Sequence, residues 1–425
     1  GGFADGSSGG AGGGGGAGAS SGGATRSSIQ VAVRLRPLCE KERLRGDRAG
    51  WASERDGTVG LVDPNTGAFT PKHRFDTVFG PEAGNSDVAG ALALPLVGPA
   101  LSGVNGTIFA YGVTSSGKTH TMMGTEGDPG IVPRVVRELF SQIAAAAAAG
   151  QAGSSFIHGC SPCPSPAGPG GPRSFSVRMS IMEIYNEILN DLLDPSRANL
   201  KVREDARSGL VVVEGLTEQP VASAEQALEL IHRGDHNRKV SATAFNEDSS
   251  RSHTITRIIV ESTPLQQPFD AAAAAGADPP RPVGRRTTAC LCLIDLAGSE
   301  SAKAVVSKGQ RMEGSYINRS LLTLGTVIHK LAAGAAGHVP FRDSKLTRLL
   351  QPSLSGPGAR VAVVCNVTPA MGQSDETANT LKFAARAKLV QVTARTNEVL
   401  DDRTLLRRYQ KEVADLKRQL AEARR

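Results

Sequence analysis

The sequence predicts an α/β protein with helices packed on both faces of a central sheet. Two observations carry that expectation. Apolar stretches with strand periodicity alternate with stretches of helical periodicity from Ile29 to about Val392. A glycine-rich loop, Gly112–Thr119, also sits where a buried apolar stretch gives way to a segment expected to be helical. The 425 residues, 40% hydrophobic and 21% charged, suffice for one large core or two modest ones.

The elements follow in order. Residues 1–27 are Gly, Ser and Ala with almost no apolar anchors and predict a disordered tail. Order is expected from Ser28. There Ile29, Val31, Val33 and Leu35 alternate with Gln30, Ala32, Arg34 and Arg36, a strand with one buried face. Thr107–Tyr111 reads as a buried strand, Ile131–Gln142 as a helix and Phe175–Tyr185 as a strand. Ser223 caps a helix expected to end near Gly234, with Gln226 completing a capping box. Thr254–Glu261 and Thr287–Leu296 are expected strands, Ile317–Ala332 and Asp343–Leu350 helices, Arg360–Val367 a strand and Glu376–Lys388 a helix. Two low-complexity patches, 144–172, whose opening alanine run can extend the preceding helix, and 264–286, read as surface loop insertions within one domain. Beyond residue 400, Leu406, Tyr409, Val413, Leu416 and Leu420 step by three and four. That spacing fits either the start of a coiled coil or a solitary amphipathic helix. The pattern reaches the last residues, so a continuation is expected.

Composition excludes several classes. The excess of Gly and Pro is local and has no collagen period. No apolar run approaches the roughly 18 residues that cross a bilayer. Six cysteines make no disulfide framework, which points to a reducing compartment. Cys160-Ser-Pro-Cys163 beside His158 lacks the second Cys pair of a zinc site, and Cys290 and Cys292 share one face of a strand as packing residues. The formal charge of +7 suits an acidic partner or a merely solvated surface.

The chemistry concentrates in three motifs. Gly112-Val113-Thr114-Ser115-Ser116-Gly117-Lys118-Thr119 fits G-x-x-x-x-G-K-[ST] at every fixed position. Glycines let backbone N–H groups turn toward phosphate oxygens, and the next helix aims its positive end at the same anion. Lys118 can reach the β- and γ-phosphates, and the Thr119 hydroxyl can bind Mg²⁺. The apolar strand Leu291–Asp295 ends in an acid suited to holding Mg²⁺ through water, and Gly298 can sense a γ-phosphate. Asn246, Ser249, Ser250 and Arg251, just before a strand, suit a loop closing over phosphate and metal. Alone, the second motif reads equally well as a turn after a strand, and the third as a polar turn.

Together these motifs resemble the kinesin motor domain. The loop lies within Ile108-Phe109-Ala110-Tyr111-Gly112 through Thr119-His120-Thr121-Met122, and Asp295-Leu-Ala-Gly-Ser-Glu300 matches the second switch. Asn246-Glu-Asp-Ser-Ser-Arg-Ser-His253 matches the first. Arg34-Leu35-Arg36-Pro37 resembles the adenine-holding segment, and Asn318-Arg-Ser-Leu321 and His338–Arg348 resemble the microtubule-facing helix and loop. The likeness spans about residues 28–395. Val113 stands where Gln is common and Arg319 where Lys is usual. The loop's form is similar to that of the centromere-protein-E-like branch of plants and algae.

The resemblance implies a P-loop NTPase-type central mixed β-sheet with a motor domain over 28–389, a neck linker over 390–400 and a neck helix over 401–425. It implies an ATP-driven microtubule motor in the cytoplasm, using Mg²⁺, plus-end-directed because the neck follows the core. A homodimer through the neck, no nucleic acid and no membrane insertion complete the expectation. Arg34, Arg36, Pro37 and His120 would flank adenine and ribose. Gly112, Val113 and Thr114, with Ser115, Ser116, Gly117, Lys118 and Thr119, would hold the phosphates. Thr119, Ser250 and Asp295 would hold the metal. Asn246, Ser249, Ser250, Arg251, Gly298 and Glu300 would serve hydrolysis, with Arg251 and Glu300 paired. Arg342, Lys345 and Arg348, at three-residue spacing, would share a helix face toward tubulin. A depolymerising relative would carry Lys-Val-Asp between Leu61 and Phe69, where this chain reads Val62-Asp-Pro-Asn-Thr-Gly67, and a GTPase would need Asn-Lys-x-Asp, which is not found.

Overall fold

The computed structural model of the protein describes residues 25–54, 56–151, 173–204, 211–244, 249–264, 286–300, 308–334, 337–355 and 358–399. Residues 1–24, most of both expected insertions, Cys160 and Cys163, Asn246 and the heptad segment 401–425 lie outside the described residues.

Eight strands form the main path of the central sheet. In chain order they are β1 (Gln30–Leu35), β2 (Thr77–Phe79), β3 (Asn105–Tyr111), β4 (Arg173–Tyr185), β5 (Gln219–Val221), β6 (His253–Pro264), β7 (Arg286–Asp295) and β8 (Ala359–Val367). They lie side by side as β5-β4-β6-β7-β3-β8-β1-β2. Pairing from β7 through β3, β8 and β1 to β2 is parallel, whereas β6 runs antiparallel to both β4 and β7, and β5 to β4. The sheet is therefore mixed. The parallel half places the C-terminal ends of β3 and β7 side by side, Ala110 opposite Asp295. In such sheets ligands bind at that edge.

The main helices are α1 (Lys118–Met122), α2 (Ile131–Gln151), α3 (Ala224–Ala244), α4 (Lys308–Ala332), α5 (Lys345–Leu354) and α6 (Ser374–Ala387). They cover both faces, and strand alternation shows how. Val361, Val363, Cys365 and Val367 of β8 pack with Leu324, Leu346, Leu350 and Leu381 of α4, α5 and α6. Ala362 and Val364 pack in a second cluster with Val135, Leu139 and Ile231 of α2 and α3. Each fully buried aliphatic chain contributes about 1.5–3 kcal/mol.

Several boundaries differ from expectation for local reasons. The alanine run, as its composition allows, continues α2 past Gln142 to Gln151. At α3, the Ser223 hydroxyl accepts from Gln226 N at 3.3 Å, and the Gln226 side chain accepts from Ala222 N at 2.9 Å. That helix runs through Gly234 to Ala244, and a side chain at 234 would press on Ile181 of β4, 3.1 Å from its Cδ1. Here the glycine permits close packing rather than ending a helix. The expected helix from Asp343 begins later. Phe341–Asp343 is a short 3-10 turn, and Ser344 caps α5 by accepting from Leu346 N at 3.1 Å. A three-stranded side sheet, Trp51–Ser53, Thr58–Val62 and Phe69–Arg74, had no expectation at all.

Among the described residues, paired backbone begins at Thr25, ahead of Ser28. Thr25–Ser28 pairs antiparallel with Gln391–Ala394, and Ile29 N donates to Val390 O at 3.0 Å. Val390, Val392 and Ala394 are buried. Farther on, Asn397 N donates to Gly103 O at 2.8 Å, and Glu398–Val399 pairs with Arg286–Thr287 at the start of β7. The stretch after α6 thus lies along the body of the domain. Among the described residues no helix is long and apolar enough to cross a membrane.

Candidate nucleotide site

The loop between β3 and α1 has the backbone the motif demands. Gly112 has φ 151° and Gly117 φ 96°, and a Cβ on Gly112 would collide with the Asn366 carbonyl. Ser115 adopts φ 63°, an uncommon conformation for a residue with a side chain. Ser116 N donates to Val113 O at 3.2 Å, closing the turn. The buried Ser116 hydroxyl has no hydrogen-bond partner in the structure, a polar atom available within the loop.

Lys118 opens α1 and is buried. Its ammonium donates to the carbonyls of Gly112 and Val113 at 2.9 and 2.8 Å. Burial pushes its pKa below the usual lysine value, while the nearby Asp295 and Glu300 carboxylates oppose that. Thr119 Oγ1 donates to Asp295 Oδ2 at 2.7 Å. Burial raises the Asp295 pKa against the pull of Thr119, Arg238 and Lys118, and its other oxygen, Oδ1, is buried without a hydrogen-bond partner. A carboxylate so placed beside a threonine hydroxyl fits a divalent cation.

The segment after β7 is stitched to the loop and to the turn before β6. Gly298 N donates to Ser250 O at 2.9 Å, and Ser299 N donates to Gly112 O at 3.1 Å. The Glu300 carboxylate accepts from Thr114 N at 2.8 Å and from Thr114 Oγ1 at 2.5 Å. A Cβ on Gly298 would lie against the Glu300 carboxylate and the Thr114 hydroxyl, so a side chain there would displace both groups from each other. Ser249–Arg251 forms a short 3-10 turn, with Ser250 and Arg251 half-buried. Of the expected hydrolytic residues, Ser250, Gly298 and Glu300 therefore converge on the loop.

Arg34 and Arg36, two residues apart, make different contacts. The Arg34 guanidinium is buried and donates to Asn85 Oδ1 at 2.6 Å, Thr121 Oγ1 at 2.8 Å and Ala83 O at 3.2 Å. It braces α1 against Asn85–Leu92. Arg36 donates through Nε to Ser115 O at 2.8 Å. Pro37 and His120 are exposed, and their backbone carbonyls are engaged, by Arg36 Nη1 at 2.8 Å and Asn85 Nδ2 at 3.1 Å.

Sequence reading left out two buried residues that organise this site. Arg238 of α3 lies 3.5 Å from Glu183 and donates to Ser252 Oγ at 3.2 Å. His253, quoted only as the end of a motif, is fully buried. Its Nδ1 accepts from Ala297 N at 2.9 Å, so its Nε2 carries the proton and donates to Ser320 Oγ of α4 at 2.8 Å. Burial beside Lys118 and Arg238 lowers its pKa to about 3. A buried His or Arg has no periodicity of its own, so only the assembled fold reveals these bonds.

On the outer face the three cations do not share one helix face. Arg342 sits in the 3-10 turn and lies 3.1 Å from Glu204. Lys345 begins α5, with its Nζ 3.4 Å from Leu200 O, and burial lowers its pKa. Arg348 is one turn on, and Arg319 of α4 donates to Asp343 O at 3.1 Å. The late start of α5 accounts for the difference.

Comparison with known proteins bears on this geometry. The family model described as the kinesin motor domain matches residues 34–390. The kinesin-like protein KIN-7D, mitochondrial, of Arabidopsis thaliana is 46% identical over 400 residues, covering 94% of this chain and 34% of its own length. The kinesin-like protein KIN-7K, chloroplastic, of Oryza sativa is 44% identical over 399 residues, with 94% and 33% covered. The chain spans about a third of the length of these curated relatives. Among solved structures, a fast kinesin aligns with TM-score 0.71 and 35% identity over 88% of this chain and 95% of its own. A KIF14 dimer with AMP-PNP on a microtubule aligns with TM-score 0.72 and 32% identity, covering 89% and 98%. With the loop, the mixed sheet and the stitched segments already in place, these matches establish that the chain belongs to the kinesin motor domain family.

Proposed function

We propose that this chain is the motor domain of an ATP-driven microtubule motor: it hydrolyses MgATP, microtubules accelerate the turnover, and the core drives movement toward the plus end. The observation that carries the reading is that Lys118, the bonded pair Thr119 and Asp295, Gly298 bonded to Ser250, and Glu300 bonded to Thr114 all meet around one phosphate loop. Phosphoryl transfer to water asks a protein chiefly for positioning and charge stabilisation. Lys118, now bonded to loop carbonyls, is the cation for the β- and γ-phosphates. Gly298 N–H, bonded to Ser250 O, is the group that a γ-phosphate would recruit, drawing both segments together. Arg251 and Glu300 pair on closure and orient the attacking water. Thr119, Ser250 and Asp295 would hold Mg²⁺, which when bound neutralises developing phosphate charge. Exposed Pro37 and His120 are the surfaces for adenine.

Arg342, Lys345 and Arg348, with Arg319 and the exposed Leu322 on α4, form the tubulin-facing side. The KIF14 relative is solved on a microtubule. That supports the assignment and an association with the cytoskeleton; its dimeric form supports a homodimer. For direction, the support is that Gln391–Ala394 and Glu398–Val399 lie along the core as strands, as expected of a neck linker after α6. Extended residues gain pairing but lose about 1–2 kcal/mol of backbone freedom each, so docking is a small bias that a nucleotide can reverse.

The test is ATP turnover with and without microtubules, then gliding of polarity-marked microtubules on surface-bound protein. Stimulated turnover with plus-end-directed transport is expected. Turnover indifferent to microtubules would refute the motor reading, and minus-end transport would refute the direction.

A further inference from the structure

Glu42 has no place in the chemistry above, yet it is among the most heavily bonded carboxylates of the domain. It lies on the short helix Glu40–Leu44, is 5% exposed, and receives four hydrogen bonds. Arg36 donates twice, Nη1 to Oε2 at 2.7 Å and Nη2 to Oε1 at 2.6 Å. Cys39 N donates to Oε2 at 2.8 Å, and Thr368 Oγ1 donates to Oε1 at 3.0 Å. A forked pair of this kind fixes the plane of a guanidinium. The remaining donors of Arg36 then have set directions: Nη1 also reaches Pro37 O at 2.8 Å, and Nε reaches Ser115 O at 2.8 Å.

Ser115 is the loop residue at φ 63°. Its carbonyl and the Ser116 N–H belong to one planar peptide and point opposite ways. That peptide is held at both ends, by Arg36 at the oxygen and by Val113 O at the N–H. We propose that Glu42 is a positioning residue for the phosphate loop: through Arg36 it holds the Ser115–Ser116 peptide in the left-handed turn that a triphosphate requires. Thr368, just past β8, anchors the carboxylate to the strand whose Asn366 abuts Gly112. The inference deepens the nucleotide-site reading and rests on it. An uncommon backbone conformation persists only when its surroundings over-determine it, and this clamp supplies the determination.

The experiment compares the unmodified protein with Glu42→Gln, Glu42→Ala, Thr368→Val and Arg36→Ala. It uses ATP turnover and inorganic tripolyphosphate as a competitor that has phosphates and no base. For Glu42→Gln and Glu42→Ala, the KM for ATP and the inhibition constant of tripolyphosphate should rise together, about tenfold. The kcat at saturating ATP should stay within about twofold, and Thr368→Val should show the same pattern more weakly. The Glu42→Ala/Arg36→Ala double variant should be no worse than the worse single one. Glu42→Gln keeps the side-chain shape, so it reports even if Glu42→Ala folds poorly. Three results would each overturn the inference: unchanged tripolyphosphate inhibition while KM for ATP rises, which would put Arg36 on the base; additive losses; or a lowered melting temperature with unchanged KM. If the unmodified protein turned over ATP without being inhibited by tripolyphosphate, the loop reading beneath the inference would fall as well.

Discussion

The two sides of this domain that carry charge are built in opposite ways. Around the phosphate loop, Lys118, Asp295, His253 and Arg238 are buried, and each makes at least one hydrogen bond to another residue of the site. On the outer face, Arg342, exposed and paired with the half-exposed Glu204, makes a contact that water can replace. The lesson concerns coupling. In the buried network removing one member leaves others without a partner, so effects should be large and non-additive. On the exposed face each cation acts through a screened field, so effects should be small and should add.

The sharpest way to break that contrast is at Lys118. Lys118→Ala should lower turnover on the order of a hundred- to a thousandfold, and Thr119→Asn should act comparably through the metal. Steady-state kinetics at saturating MgATP checks this, and turnover unchanged in both variants would remove the loop from the reaction.

Next in size is the expected unit of Arg251 and Glu300. Each alanine variant should bind nucleotide and lose most hydrolysis, and the double variant should fall no further than the worse single one. Single-turnover hydrolysis alongside fluorescent nucleotide binding would measure it. Additive losses would show that the two residues act independently.

His253 sharpens the comparison through pH. Its folded pKa is about 3, against 6.5 for an ordinary histidine. The unfolded chain therefore takes up a proton near pH 6.5 that the folded chain refuses. The stability associated with the neutral ring is fully present above 6.5 and is lost as pH falls from there toward 3. The loss should approach about 1.4 kcal/mol per pH unit. Denaturant unfolding at pH 7, 6 and 5 should show that slope, and His253→Gln should flatten it. An unchanged slope would mean that the buried ring does not set the acid limb.

The smallest effects belong to the outer face. Arg342→Ala, Lys345→Ala and Arg348→Ala should each weaken microtubule affinity roughly two- to fivefold, and in combination the losses should multiply. Affinity should also fall as salt rises, since screening acts over about 8 Å at physiological ionic strength. Co-sedimentation across a salt series would decide it. Salt-independent binding that survives the triple variant would place the interface elsewhere. Lys345 is the informative member, because it is partly buried against Leu200 and its loss should also disturb packing.

The sequence by itself determined the α/β class, the strand–loop–helix around Gly112–Thr119 and the alternation that marks Ile29–Leu35 as a strand. Each of these is written in neighbouring residues: a period of two, a period near 3.6, or glycines and a lysine at fixed spacing. Tertiary structure decided what depends on who arrives from elsewhere in the chain. Gly234 looked like a stop and became a point of contact, because Ile181 of β4 lies against it. Asp343 looked like the start of a helix, yet Ser344 takes the capping role. Thr25–Ser28, too poor in apolar residues to predict as a strand, is ordered by backbone pairing with residues more than 360 positions away. Arg34 and Arg36 looked alike in one strand, yet one braces Asn85 and the other clamps Ser115. Hydrogen-bond partners are chosen by position in space, and spacing along the chain carries that information only when both partners lie on the same element.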